Sequence, residues 1–428
     1  MSTLRISRRA ADRLRAGHLW VYRTDFESAQ DSIAPGSLVT LTDSRDIPLG
    51  TALYSSESMI TARLVSRTPA LTRTQYLADL RTRIESALAL RRELAPTTAA
   101  NNAHRLIFSE ADNLPGIVAD RYNDLVLLQL LTQGTAQDDV RAVVVETLRA
   151  HLSPNGESLT IWERPDPRIR ELEQLAPPPP GPLFTTADVA PTTTTTTTFT
   201  LNNLHFHYDA AAGQKTGAFL DQRLNYAAAA SHVAASGRTN NALDVCTYHG
   251  GFALHLAQVC ARVTGIDASR SALEAADANL ALNPNLKAEV DWIEADAFEY
   301  LRHLDDLAHP KSPGAPPMRS TIAHGWGCIV LDPPAFAKSK RAAESALRGY
   351  KELNLRALRL LAPGGTLITC SCSHHISLAD FTGIVASATA DAGRRVQLLE
   401  TRTAAPDHPE VLTLPETRYL KCLICRVD

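Results

Sequence analysis

Hydrophobic and polar positions follow three different rhythms along this chain. From about residue 201 onward, short candidate strands at 242–245, 263–266, 289–293, 328–331 and 366–369 alternate with stretches of helical apolar spacing, clearest at 271–282 and 348–361. That alternation predicts a mostly parallel, doubly wound sheet over residues 201–428. In residues 1–72 a short basic helix precedes strand patterns at 38–42, 51–54 and 59–65, punctuated by Pro35-Gly36 and Asp43-Ser44-Arg45-Asp46. Short strands with turn residues between them predict a small β-barrel. Residues 73–200 open with a helical period over 74–94 that stops ahead of Pro96. Strand patterns at 105–108, 125–130 and 159–162 and a helix at 136–151 then predict a compact α+β unit.

The rhythm fails twice. Residues 177–180 are all proline and 192–198 all threonine, within a stretch at 176–200 that has no apolar period. Residues 308–320 are rich in proline and small side chains. Both read as flexible surface linkers or insertions.

With 428 residues, the chain is long enough for two or three domains with a substantial core. No apolar run is long enough to span a bilayer, and the N-terminus lacks the apolar core of a secretion signal, so a cytoplasmic protein away from membranes is expected. The seven cysteines lie mostly inside apolar runs, as reduced thiols do. Cys422 and Cys425 form a C-x-x-C within the apolar segment 419–425. With no second Cys/His pair at zinc spacing, the segment reads as a terminal strand and no metal is expected. The net charge of −3 gives no global attraction to a polyanion. Locally, Arg5, Arg8, Arg9, Arg13, Arg15 and Arg23 face only Asp12 in the first 23 residues. Such a run is either a solvated helix face or a phosphate-contacting surface.

The chemistry gathers where the strands of the last block end, since ligands of open α/β sheets sit beyond the strands' carboxyl ends. Asp244, Asp267, Asp296 and Asp332 each stand at the end of a successive strand. A single acid there would be unremarkable as a helix cap; the ordered series is a stronger signal. After Asp244 comes Cys246-Thr247-Tyr248-His249-Gly250-Gly251-Phe252, whose paired glycines let the backbone pass close to a ligand. Asp267 is placed to accept hydrogen bonds from ribose hydroxyls. Asp296, with the Ala297 amide, is placed to read adenine. The G-x-G-x-x-G needed for a pyrophosphate is absent, which favours S-adenosylmethionine over a dinucleotide. Opposite lie Asp332-Pro333-Pro334-Ala335-Phe336 and Cys370-Ser371-Cys372-Ser373. An acid, a rigid loop bearing an aromatic ring, and a thiol make a site for alkylating a planar base.

These segments, with Gly213-Gln214-Lys215-Thr216-Gly217-Ala218-Phe219-Leu220-Asp221-Gln222-Arg223, Arg348-Gly349-Tyr350-Lys351-Glu352 and Asp407-His408-Pro409, resemble the class I S-adenosylmethionine-dependent methyltransferases of the RlmI-like family, which act on large-subunit ribosomal RNA. Earlier, Gly17-His18-Leu19-Trp20-Val21-Tyr22 resembles the opening of that family's PUA domain, an RNA-binding barrel. Glu110-Ala111-Asp112-Asn113-Leu114-Pro115-Gly116 and Asp120-Arg121-Tyr122 resemble its middle domain. Cys246 and His249 stand where the family usually carries Ser or Phe and Thr.

The resemblance implies a Rossmann-like catalytic domain preceded by a PUA-type barrel and an α+β domain. It implies Cys372 and Asp332 in catalysis, with Cys372 as the nucleophile. Around S-adenosylmethionine it implies Asp244, Tyr248, Gly250, Gly251, Phe252, Asp267, Asp296, Ala297 and Asp332. Toward the RNA it implies Gln222, Arg223, Pro333, Pro334, Phe336, Lys338, Lys340 and Arg348. The residues alone separate the two thiols weakly, Cys370 ending a strand and Cys372 beginning a loop. Ribosomal RNA is the expected partner, with a homodimer as a further option. Carbon 5 of cytosine is a poor nucleophile, and a thiolate adding to carbon 6 turns the ring into an enamine that can take a methyl group. Two alternatives stay open at this point: methylation of guanine or of an exocyclic nitrogen, and a non-catalytic RNA-binding assembly factor.

Overall fold

The computed structural model describes residues 2–27, 33–186, 195–210, 218–309, 325–336 and 343–428. Contacts divide the chain into two units. The first comprises Met1–Thr200, Tyr208–Gly217 and Pro406–Thr417; the second comprises Leu201–His207, Ala218–Ala405 and Arg418–Asp428.

The first unit opens with β1 (Thr3–Arg5), α1 (Arg8–Arg15), β2 (Trp20–Val21), β3 (Leu38–Thr42), β4 (Pro48–Tyr54) and β5 (Ala62–Ser66). They form a five-stranded sheet in the order β1-β3-β4-β5-β2. Ser7 caps α1 by accepting the Ala10 N–H, and Ala10, Ala11 and Leu14 bury one helix face against Leu4, Val39, Leu41 and Leu64. The N-terminal arginines largely spend their charge inside this unit. Arg5 pairs with Asp46 at 2.7 Å, Arg13 with Asp25 and Arg15 with Asp43, while Arg23 donates to the Ser56 carbonyl. Arg8 and Arg9 are exposed.

Next come α2 (Arg73–Leu94), β6 (Ala103–Phe108), β7 (Ile117–Tyr122), β8 (Leu125–Leu130), α3 (Asp138–Leu152), β9 (Thr160–Glu163), α4 (Pro167–Glu173) and β10 (Phe184–Thr185), with sheet order β10-β9-β8-β7-β6. Thr72 and Gln75 make a capping box at the start of α2. Strand β7 was not expected, because Asp120 and Arg121 interrupt its apolar pattern. Asp120 is fully buried, and Arg105 opposite it on β6 neutralises it through two 2.8 Å bonds. The guanidinium of Arg91, 1% exposed, likewise bonds Asp112 Oδ1 at 2.6 Å and the Asp407 carbonyl at 2.9 Å. The Asp407 carboxylate accepts the Arg105 N–H at 2.8 Å.

The linker expected over 176–200 is corrected in part. Phe184–Thr185 pairs with β9, and Thr196–Leu201 is strand β11, paired with β12 (Leu204–Asp209). Threonine is β-branched and suits a strand, so a run without apolar period still pairs. Asn202 and Asn203 both take positive φ (51° and 68°), the two-residue turn that matches hairpin twist.

In the second unit follow α5 (Arg223–Ser236), β13 (Asn241–Val245), α6 (Gly251–Leu256), β14 (Arg262–Asp267), α7 (Arg270–Ala281), β15 (Glu289–Glu294), α8 (Ala297–Ala308), β16 (Trp326–Leu331), α9 (Ala343–Leu360), β17 (Leu361–Ser371), α10 (Leu378–Ala392), β18 (Val396–Arg402) and β19 (Lys421–Val427). The seven-stranded sheet runs β15-β14-β13-β16-β17-β19-β18, parallel from β15 to β17, with β19 antiparallel to both neighbours. One face packs on α5 and α6 through Tyr226, Val233 and Phe252. The other packs on α8, α9 and α10 through Leu301, Tyr350 and Phe381. Cys422 and Cys425 are buried in β19, one in each of these cores, so their thiols lie on opposite faces of the strand. Strand order reverses at β13 and β16, which makes the crevice beyond their ends the ligand position.

Candidate active site

The chain leaves β13 through a tight turn. Cys246 and Tyr248 take positive φ (64° and 51°), and so does Gly250 (81°). Non-glycine residues there are strained, and two carboxylates hold them. Asp244 Oδ2 accepts the Thr247 hydroxyl at 2.6 Å and the Ala253 N–H at 2.9 Å. Asp267 Oδ2, from the tip of β14, accepts the Tyr248 N–H at 3.0 Å, while its Oδ1 accepts the Ser269 N–H at 2.9 Å. The paired glycines do different work. Gly250 supplies the positive φ; at Gly251 a Cβ would lie 2.5 Å from Tyr226 Cζ. The resulting cleft is lined by Phe219, Tyr226, Thr247, Tyr248, Phe252 and Asp332, among others. The His249 ring stacks on Tyr248 with centroids 3.7 Å apart, and burial lowers its pKa to about 4.

Asp244 is 1% exposed. Burial pushes its carboxyl up to about 7, against the pull of the Thr247 and Ala253 hydrogen bonds, with nearby Asp267 pushing the same way as burial. Its Oδ1 is buried and accepts no hydrogen bond among the described residues. A buried acceptor left open beside a cleft fits a ligand with a cationic or N–H group. Asp296 is exposed and caps α8, with Oδ1 accepting the Phe298 and Glu299 amides at 2.9 and 3.0 Å; Ala297 is the first residue of that helix.

Across the crevice, Gln222 donates to Asp332 Oδ2 at 3.0 Å. Gln222 and Arg223 are both buried. Pro333 is buried and Pro334 exposed. The half-buried Cys372 lies with Sγ 3.9 Å from the Pro333 carbonyl oxygen, so the acid turn and the thiol loop meet. Cys370 is fully buried opposite Cys422 of β19, and burial, reinforced by Cys422, pushes its thiol well up. The Phe336 ring packs 4.8 Å from Tyr350 and 5.8 Å from Phe298. Arg348 is exposed on α9, 3.1 Å from Glu344. Lys338, Lys340, Arg341 and residues 213–217 of the quoted motif lie outside the described residues.

Sequence reasoning passed over Lys421. It begins β19, is 3% exposed, and its Nζ donates to the Ser373 carbonyl at 2.7 Å and the Tyr419 carbonyl at 2.8 Å. Burial lowers its pKa to about 8, with the charge of Cys372 acting in the opposite direction. The only signal was a lysine inside the apolar run 419–425.

A parallel sheet with its order reversed at the centre, a strained turn after the first strand and acids at successive strand ends define a class I methyltransferase. The S-adenosylmethionine-dependent methyltransferase family model matches residues 189–426, and a PUA-like domain model matches residues 4–67. Ribosomal RNA large subunit methyltransferase I from Pseudoalteromonas atlantica is 33% identical over 413 residues, covering 96% of this chain and 95% of the relative. The protein of the same name from Escherichia coli is 32% identical, with coverages of 96% and 95%. In fold, the chain resembles a methyltransferase solved in complex with SAH (TM-score 0.77, 19% identity) and an S-adenosylmethionine-dependent methyltransferase from Streptococcus mutans (TM-score 0.76, 18% identity), each matched over the full length of both chains. The chain belongs to the ribosomal RNA large subunit methyltransferase I family, and its cofactor is S-adenosylmethionine. No helix among the described residues is long and apolar enough to cross a membrane.

Proposed function

We propose that this enzyme methylates carbon 5 of a cytosine in large-subunit ribosomal RNA through a covalent adduct with Cys372. The RNA follows from the names of its relatives and from the PUA-like domain. The cytosine chemistry rests on one observation: a half-buried thiol sits against the Asp332-Pro333 turn while its neighbour Cys370 is fully buried. The setting we propose is the cytoplasm, where ribosomes carry that RNA.

Bound S-adenosylmethionine supplies a methyl group on a positively charged sulfur. Asp267 takes the ribose hydroxyls, Asp296 and the Ala297 amide take the adenine edge, and the turn from Tyr248 through Gly250, Gly251 and Phe252 forms the wall. Asp244 offers its open Oδ1 to the amino acid end. On the RNA side, the Cys372 thiolate adds to carbon 6 of the base, and the displaced electron pair makes carbon 5 nucleophilic. Methylation follows at carbon 5; loss of the carbon 5 proton then restores the double bond and expels Cys372. Asp332, oriented by Gln222, holds the amine or the N3 edge of the base. Pro333 and Pro334 fix the loop, and Phe336 offers a stacking face worth roughly 1–3 kcal/mol per base. Arg348, exposed on α9, is assigned to the RNA backbone; Arg223, expected there from the resemblance, is buried and is not.

RNA carrying 5-fluorocytosine cannot release its substituent after methyl transfer, so the wild-type enzyme becomes trapped on it. Cys372→Ala abolishes trapping and turnover, and Cys370→Ala keeps the adduct. Full activity in Cys372→Ala would sink the covalent route and favour methylation at nitrogen, for which Asp-Pro-Pro followed by an aromatic ring is also suited.

A further inference from the structure

The thiol loop stands on a buried polar network. Ser371 and Ser373, on either side of Cys372, are both fully buried. Ser371 donates to the Tyr350 hydroxyl at 3.0 Å, and the Ser373 hydroxyl lies 3.0 Å from the same atom. Lys421 is tied to the same two residues. It pairs with Ser371 in the β17–β19 register, and its Nζ bonds the Ser373 carbonyl. Three consecutive residues are thereby fixed, and Cys372 is the half-buried one.

An ammonium buried this completely is expensive unless it meets compensating charge or dipoles. The Ser373 and Tyr419 carbonyls occupy two of its three donors. A strand whose other residues are mostly apolar would be better served by leucine if packing were the sole demand. The electrostatic effect of Cys372 on Lys421 supports a different demand. Coupling between two sites is reciprocal, so whatever an ionised Cys372 does for the ammonium, the ammonium does for the thiolate. Other polar groups at the network are the Tyr350 phenol and the Tyr419 hydroxyl, which lies 2.6 Å from Asp221 Oδ2.

We propose that Lys421 is the positioning residue for Cys372: it fixes the loop that aims the thiol and supplies the positive charge against which the thiolate forms. The inference rests on reading Cys372 as the nucleophile, and its test keeps the two apart. Trapping on 5-fluorocytosine RNA tests the nucleophile; alkylation without RNA tests Lys421. The rate of Cys372 alkylation by iodoacetamide is measured by peptide mass spectrometry from pH 6 to 10 in the full-length wild type and in Lys421→Met. The midpoint is expected to move up by about one pH unit in the variant, with alkylation about tenfold slower at neutral pH and an unchanged plateau at high pH. A merely structural defect would instead change the plateau and leave the midpoint. If circular dichroism shows that Lys421→Met does not fold, the neutral Lys421→Gln takes its place. A midpoint equal to that of the wild type in the folded variant would overturn the proposal.

Discussion

Asp244 should make the ligand-free enzyme less stable as pH rises, and Asp244→Asn should remove that loss. The carboxyl sits at about 7 in the folded chain against an ordinary value of 3.8, chiefly because it is buried. Between those values the folded chain holds a proton that the unfolded chain has released. Stability then falls with pH by about 1.4 kcal/mol per unit. The contribution is fully present below about pH 4 and is lost as pH rises through about 7. Across some three units the total reaches a ceiling of about 4 kcal/mol. Asparagine is neutral throughout, and its carbonyl can still accept the Ala253 N–H. Urea titrations of ligand-free wild type and Asp244→Asn at pH 5, 6, 7 and 8 read the difference directly. The variant should gain on the wild type steadily up to pH 7 and level off above it. The same substitution should weaken S-adenosylmethionine binding at pH 7.5, because the open acceptor has changed, so stability rises as function falls. A stability difference that stays constant to within about 1 kcal/mol over this range would refute the buried-carboxyl reasoning.

Two further predictions concern the cofactor turn. Asp267→Ala removes the acceptor of the Tyr248 amide as well as the proposed ribose contacts, and should cost about 1.5–3 kcal/mol of S-adenosylmethionine affinity; unchanged affinity by calorimetry removes Asp267 from the site. Gly251→Ala drives a methyl group into the Tyr226 ring, an overpacking cost of about 1–3 kcal/mol. In a Tyr226→Leu background that cost should largely vanish in a double-mutant cycle, and a cost that persists there assigns the strain elsewhere.

The parallel strands were legible because a strand buried on both faces reads as a continuous apolar run, as residues 328–331 do. Strands whose polar residues find distant partners were not. β7 contains Asp120, neutralised by Arg105, and the edge strand β18 is mostly exposed, with Leu398 and Leu399 about half-exposed. The N-terminal arginines looked available for phosphates because Asp25, Asp43 and Asp46, which consume three of their charges, lie up to 41 residues away in the chain. At the candidate site, the acids and the thiol-bearing turn announced themselves by residue type at strand ends. Lys421 did not, since its partners are backbone carbonyls, which no side-chain pattern encodes.

Arg91 and Asp407 lie 316 residues apart in sequence, within one unit whose last segment is Pro406–Thr417. A ribosome making 5–20 residues per second needs roughly 10–40 s to travel from the end of Thr200 to that segment. During that interval the Arg91 guanidinium has Asp112 but not the Asp407 carbonyl, and the Arg105 amide lacks the Asp407 carboxylate. The methyltransferase sheet is not complete either until β19 emerges just afterwards. The bonds that Arg91 and Arg105 make to Asp407 are therefore completed long after both arginines have been made.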